Sequence, residues 1–556
     1  MMLDVLNKEI EGICKKHKLV GANVALYDSE RIVYIHNYGY ANKEQQIKST
    51  NDSLYMIGSN TKVMTAVCIL KLMEDGVLAL DDDIRKFIPE FEVKATFAYD
   101  KITIGNLLMH RSGLLCDLCD MSVDKTGDFR DVISRLKQTY LIALPGTMFA
   151  YSNVGYTVLG VVIERASGMP YQQYVQKTIA QPLGIGILFL RTEEERKQYS
   201  KVISLCYNRK GDVVEDPLNT ILPAGSNTYM SIADFVKFGQ IFLKKDGTVL
   251  KKETLELMET LECAEEIDRE LFNAGYGLLH NSNHYGENVG KILGHGGDTI
   301  YHHSAFDYIP DHNVGIMVFT NNEQGANAKG EIVSKVLHTY LEHKGITTAT
   351  YPLTFSHVSG NCEEWVGKYA TPLGIIDIRK SSEGTLTTKL NGLRISLKLC
   401  EDGLWQLWPK GVLSHFPMIK QQITRLRVRF ARYSGEKVLI LESRYPDNVN
   451  QSIVGGAYEE TQIPQSFRNA CGTYELANEG LKDVKGSCSL RIEQGVLVLK
   501  VRFLGGTTRF ALKAVENNLA FVQGFGRNAR NDVLLTNNGG VQCLSWCGLV
   551  FQKVMK

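Results

Sequence analysis

What this chain lacks narrows its function before any motif is read. It has no charge imbalance, with 62 lysines and arginines against 61 aspartates and glutamates, so no global field draws it to nucleic acid or to an anionic membrane surface. It has no apolar run of membrane-spanning length, and Met1 to His17 lacks the unbroken apolar stretch of a signal peptide. The expectation is a cytoplasmic protein without a membrane partner. The 12 cysteines follow no repeating spacing, which suits reduced thiols better than a disulfide framework. Cys116-x-x-Cys119 and Cys543-x-x-x-Cys547 lack a second Cys or His pair at zinc spacing. Neither a metal nor a cofactor is called for. What remains is a small-molecule or short-peptide substrate.

What is present is ordinary globular material, 556 residues with 44% hydrophobic and 22% charged side chains, enough for two or three domains. Leu3, Leu6, Ile10 and Ile13 place an amphipathic helix at the start. Residues 22–27 and 31–35 read as one hairpin, and 301–308 with 314–320 as another, joined by Pro310-Asp-His-Asn313. A closing helix is expected over 331–342, and another over 155–166 ending at Gly168. Hairpins at both ends of residues 1–345 predict one antiparallel sheet flanked by helices, with a helical subdomain between them. After a linker at 346–360, short alternating strands take over. Trp365-Val-Gly-Lys-Tyr369 and Ala470-Cys-Gly-Thr-Tyr474 each open such a stretch, predicting two small β-barrels at 361–460 and 461–556. The arginines of Thr424-Arg-Leu-Arg-Val-Arg-Phe430 are expected on an outward, solvated barrel face.

The chemistry starts at Tyr55-Met-Ile-Gly-Ser59-Asn-Thr-Lys62. If Ser59 opens a helix, Lys62 lies one turn on and on the same face, a nucleophile beside its activator. Val63, Ala66, Val67, Leu70 and Met73 recur at helical spacing, and Gly76 marks the stop. In Tyr151-Ser-Asn153, a phenol near an ammonium can be held partly ionised and relay a proton, while the Asn153 amide can orient a substrate carbonyl. In Gly294-His295-Gly296-Gly297-Asp298, the glycines let backbone approach a ligand, and an edge N-H there can supply half of an oxyanion hole. His302 and His303 are adjacent strand residues facing opposite ways, which excludes joint chelation.

In this order, together with Leu107-Leu-Met-His-Arg-Ser-Gly-Leu114, these elements resemble the serine β-lactamase-like hydrolases, the group of class C β-lactamases, D-alanyl-D-alanine carboxypeptidases, esterases and D-aminopeptidases. The resemblance covers about residues 5–345. It implies an acyl-enzyme on Ser59, proton transfer by Lys62 and Tyr151, substrate contacts from Asn153, His295, Gly296, Gly297 and Asp298, and an oxyanion hole from the N-H groups of Ser59 and Asp298. Which of Lys62 and Tyr151 is the base stays open. The tail is similar to the lipocalin-like barrels that follow some D-aminopeptidases, in which a barrel loop can reach the active-site mouth.

Two departures bear on substrate. Relatives commonly carry Lys-Thr-Gly where this chain has His295-Gly-Gly, so the carboxylate-binding lysine is missing, and imidazole is largely neutral near pH 7. Asp298 stands where relatives often have glycine, and its charge would attract a substrate ammonium. The expected activity is hydrolysis of a small ester, amide or peptide, as in an esterase or D-aminopeptidase. The alternatives are a β-lactamase or carboxypeptidase, an acyltransferase, or a penicillin-binding sensor without turnover.

Overall fold

The computed structural model describes residues 2–554 apart from 219–220, 262–266, 268–270, 273, 281–284, 350–354, 383, 391, 412–415 and 446–447. Helix α1 (Met2–Lys16) buries Leu6, Ile10 and Ile13 as the sequence spacing requires. It packs with α5 (Gly325–His343) on one face of a seven-stranded sheet. The sheet comprises β1 (Gly21–Tyr27), β2 (Ile32–Asn42), β3 (Ile47–Lys48), β4 (Leu279–His280), β5 (Leu293–Asp298), β6 (His303–Ile309) and β7 (Val314–Thr320). Its order is β3-β2-β1-β7-β6-β5-β4, antiparallel throughout. The terminal hairpins therefore meet at β1 and β7, whose seven residues each are all buried. Helices α2 (Thr61–Glu74), α3 (Asn153–Ser167) and α4 (Ile232–Lys244) fill the other side and the helical subdomain.

Several boundaries moved for local reasons. The expected strand at 31–35 runs on to Asn42, and the one at 301–308 starts at His303 because Thr299 folds back on His302 through a backbone hydrogen bond of 2.9 Å. Helix α5 begins at Gly325, six residues before the expected start. A Cβ at Gly325 would sit 2.0 Å from Thr320 Oγ1, so glycine here serves close packing rather than helix termination. Helix α2 is preceded by a 3-10 turn, Gly58–Asn60, so Ser59 lies in that turn rather than in the α-helix. All residues of α2 from Thr61 to Leu70 are buried, which makes it central to the domain instead of amphipathic.

Both predicted barrels are present, each closed by eight antiparallel strands. The first runs from Gly367–Thr371 to Asn448–Ala457 and closes by pairing Tyr369 with Ala457. The second runs from Gly472–Leu476 to Leu549–Lys553 and closes by pairing Tyr474 with Lys553. The repeated Gly-x-Tyr has one structural meaning in both. The tyrosine is buried on the opening strand and its hydroxyl donates to the carbonyl four residues back, Trp365 in one barrel and Ala470 in the other. One expectation fails: Arg427 is fully buried, not solvated. Its outer face is covered by Phe355, whose ring lies 4.3 Å from the guanidinium, and Glu442 and Asp402 hold the charge. A buried arginine is tolerated only when paired in this way.

Candidate active site

The backbone around Ser59 is set by two glycines. Ile57 N-H donates to Thr228 O at 2.9 Å, and the chain then turns through Gly58 at φ +56°, a left-handed conformation that favours glycine. The turn abuts the end of β5: a Cβ at Gly297 would lie 2.0 Å from Ile57 O, and one at Gly58 would lie 2.8 Å from Asp298 N. The Ser59 and Asp298 backbone thus share one wall of a cleft of about 450 Å³, lined also by Asp117, Tyr151, Asn153, His295 and Arg527. The structure brings together every residue singled out around the three motifs.

Lys62 Nζ donates to Ser59 Oγ at 3.0 Å and to Ala224 O at 2.5 Å. The side chain is fully buried, and burial pulls its pKa from 10.5 down to about 7, because a charged amine loses its water there. The nearest carboxylate opposing this shift is Asp117, and Asp117 is already neutralised. Its Oδ2 accepts from Arg527 Nε at 3.0 Å and Nη2 at 2.7 Å, and its Oδ1 from Asn153 Nδ2 at 2.6 Å. Lys62 is therefore a buried amine without a full counter-charge, and its neutral form is accessible near pH 7.

Tyr151 is hydrogen bonded to Ser59, and burial raises its pKa. The phenolate expected from the sequence is disfavoured by burial, and the lysine that would hold it ionised sits over the ring face, 4.9 Å from the centroid, with its own charge weakened by burial. Behind Tyr151 stands His110, its ring centroid 4.3 Å away and its backbone left-handed at φ +57°. His110 Nδ1 accepts from Ser152 N at 3.0 Å. Ser152 in turn caps α3 by accepting from Gly155 N at 2.8 Å. The cap fixes Tyr151 and Asn153 on either side of it.

His295 is buried, its Nδ1 paired with Gly296 O at 2.5 Å, and burial with the nearby Lys62 lowers its pKa to about 3. It is a neutral imidazole. The Asp298 carboxylate is engaged by His303 Nδ1 and by Lys329 Nζ, each at 2.7 Å, and stays ionised with its pKa drawn to about 2, against its partial burial, by those two donors. Both donors engage Oδ1, which weakens the expected attraction for a substrate ammonium. His302 Nδ1 accepts from Met56 N at 3.0 Å, so the two adjacent histidines serve different partners. Among the described residues no cluster of three His, Cys, Asp or Glu could hold a metal, and no helix is long and apolar enough to cross a membrane.

Sequence reasoning missed four contributors. His110 belongs to the 107–114 segment, whose pattern assigns it no role. Asp117 lies between Cys116 and Cys119 with no spacing that marks it. Lys329 acts only through the fold of α5 onto β5. Arg527 comes from the second barrel, on a loop where Gly524, Gly526, Asn528 and Arg530 all have positive φ. That glycine-rich stretch was the one available signal.

A serine whose hydroxyl is met by a buried amine and a phenol, in a cleft that it shares with Asp298, is the kind of arrangement that nucleophilic acyl transfer needs. The sequence model of the Beta-lactamase family matches residues 6–337. The chain belongs to that family. It is 31% identical over 180 residues to Protein flp of Staphylococcus aureus strain N315, a match covering 32% of this chain and 36% of that protein, about a third of its length. It is 27% identical over 353 residues to Penicillin-binding protein 4* of Bacillus subtilis strain 168, covering 59% of this chain and 74% of the relative. The octameric penicillin-binding protein homologue from Pyrococcus abyssi shares the fold over 100% of both chains, with 19% identity and a TM-score of 0.53.

Proposed function

We propose that this chain is a serine hydrolase that forms an acyl-enzyme on Ser59 from an uncharged ester, amide or small peptide. The observation that carries the reading is the 3.0 Å contact of Lys62 Nζ with Ser59 Oγ, made by an amine whose pKa burial lowers to about 7. The neutral amine takes the Ser59 proton as Oγ attacks the substrate carbonyl. The Ser59 and Asp298 N-H groups receive the developing oxyanion, each such donor contributing about 3 kcal/mol to the transition state. Tyr151, held as a phenol against Ser59, passes the proton from Lys62 to the leaving group. Water then enters, gives its proton back along the same pair, and releases the acyl group with Ser59 restored. Lys62 is the base in this scheme, because burial favours the neutral form of both groups and a neutral amine is a far stronger base than a neutral phenol.

An uncharged substrate fits the electrostatics of the cleft. His295 carries no charge, Arg527 is committed to Asp117, and Asp298 to Lys329 and His303. The test is a panel of p-nitrophenyl esters, D- and L-amino acid p-nitroanilides, D-alanyl-D-alanine peptides and nitrocefin, assayed with wild type and Ser59→Ala. Turnover of neutral esters or amides that disappears with Ser59 is the expected result. Turnover confined to carboxylate-bearing β-lactams or D-alanyl peptides would overturn the substrate assignment, and turnover surviving in Ser59→Ala would overturn the mechanism.

A further inference from the structure

A second cavity of about 430 Å³ lies where the catalytic domain and both barrels meet. Met148 and Phe149, on the stretch leading into Tyr151, form one wall, Tyr433 and Ile453 of the first barrel a second, and Phe525 of the second barrel a third. The walls are held in place independently of any ligand. Phe149 N-H donates to the Tyr433 hydroxyl at 2.7 Å, and the Tyr433 and Phe525 rings pack at 5.7 Å. The cavity adjoins the catalytic cleft, with Tyr151, Arg527 and Asn528 lining both spaces.

Its chemistry is apolar. The charged residues lining it are Arg527 and Arg530. The first is held by Asp117, and the second by Glu436 at 2.8 Å with its guanidinium 4.5 Å from the Phe525 ring. Each cation is thus already paired with a carboxylate of the protein. A preformed, largely apolar space of this size, next to the cleft that holds Ser59, has the features of a substrate subsite.

We propose that the junction cavity is the specificity subsite of the enzyme and receives an aliphatic acyl chain or aromatic side chain of the substrate, so that both barrels select what Ser59 attacks. This rests on the reading of Ser59 as the acylated residue. Each methylene that enters such a space strengthens binding by a factor of about 4, so long-chain esters gain over acetate until the cavity is full.

The experiment compares p-nitrophenyl acetate and octanoate in wild type, Ser452→Trp and Ala529→Leu. Both substituted residues line the cavity from the barrels, and Ser452 is exposed, so the first change fills space without disturbing a core. The expected result is a wild-type preference for octanoate of about 100-fold or more in kcat/KM. Either variant should cut that preference at least about tenfold, through KM, with acetate turnover unchanged within about twofold. A wild type indifferent to chain length, or variants that affect both esters equally, would overturn the proposal. Calorimetric binding of p-nitrophenyl octanoate to Ser59→Ala, with and without Ser452→Trp, separates the two readings. Binding that is lost on adding Ser452→Trp supports the subsite even if no ester is turned over, in which case the acyl-enzyme reading alone fails. Binding unaffected by Ser452→Trp overturns the subsite.

Discussion

Arg527→Gln isolates what the second barrel contributes to the chemistry. The substitution removes the cation that neutralises Asp117 and leaves Asp117 with the Asn153 amide, 2.6 Å away. Breaking a fully buried ion pair costs about 3–5 kcal/mol. Here the Asp117 side chain is 9% exposed but that of Arg527 is 66% exposed, so water screens the pair, and the stability loss is expected at about 1–2 kcal/mol. The larger effect is on Lys62. Asp117 raises the Lys62 pKa and Arg527 lowers it, so an uncompensated Asp117 favours the ammonium. The acid limb of kcat/KM, near pH 7 in wild type because the neutral amine is the active form, is then expected to move up by about one unit, or about 1.4 kcal/mol. Urea unfolding and a pH profile of ester hydrolysis measure the two quantities. An acid limb that stays in place or moves to lower pH would refute the electrostatic reasoning, even if stability falls as expected.

Two further outcomes follow from the same geometry. Lys62 keeps its proton up to pH 10.5 when unfolded but only up to about 7 when folded, so the unfolded chain binds more protons between these values and wild-type stability should rise with pH across that window. Lys62→Met should be more stable than wild type near pH 7 and should lose that slope in denaturant melts taken at pH 7 and 9.5. Gly297→Ala would place a methyl 2.0 Å from Ile57 O, against backbone that cannot step aside. Loss of ester turnover by at least about 100-fold is expected, with the folded state retained by circular dichroism but weakened by about 1–3 kcal/mol.

The parts of the molecule legible in the sequence were those written in local pattern. The spacing of Leu6, Ile10 and Ile13 placed α1, and the alternation after Gly367 and Gly472 placed two barrels. The three motifs converged because each includes backbone that only glycine or a cap can shape. What the sequence concealed depends on distance. The pairing of Arg527 with Asp117 spans 410 residues, and no periodicity reports such a contact. Charges misled for the same reason. Asp298 looked available to a substrate until α5 brought Lys329 to it, and Arg427 looked solvated until Phe355 and Glu442 covered it. A side chain's type was readable, but whether its charge is free is a property of the assembled fold.

The proposed mechanism requires that Lys62, as a neutral buried amine, makes Ser59 a nucleophile. Its most direct measurement is peptide mass spectrometry after brief exposure at pH 8 to a fluorophosphonate serine probe, for wild type, Ser59→Ala and Lys62→Met. One adduct on the peptide carrying Ser59, absent in Ser59→Ala and at least about 100-fold slower to form in Lys62→Met, is the expected result. An adduct on another serine, or labelling of Ser59 at the wild-type rate without Lys62, would contradict it.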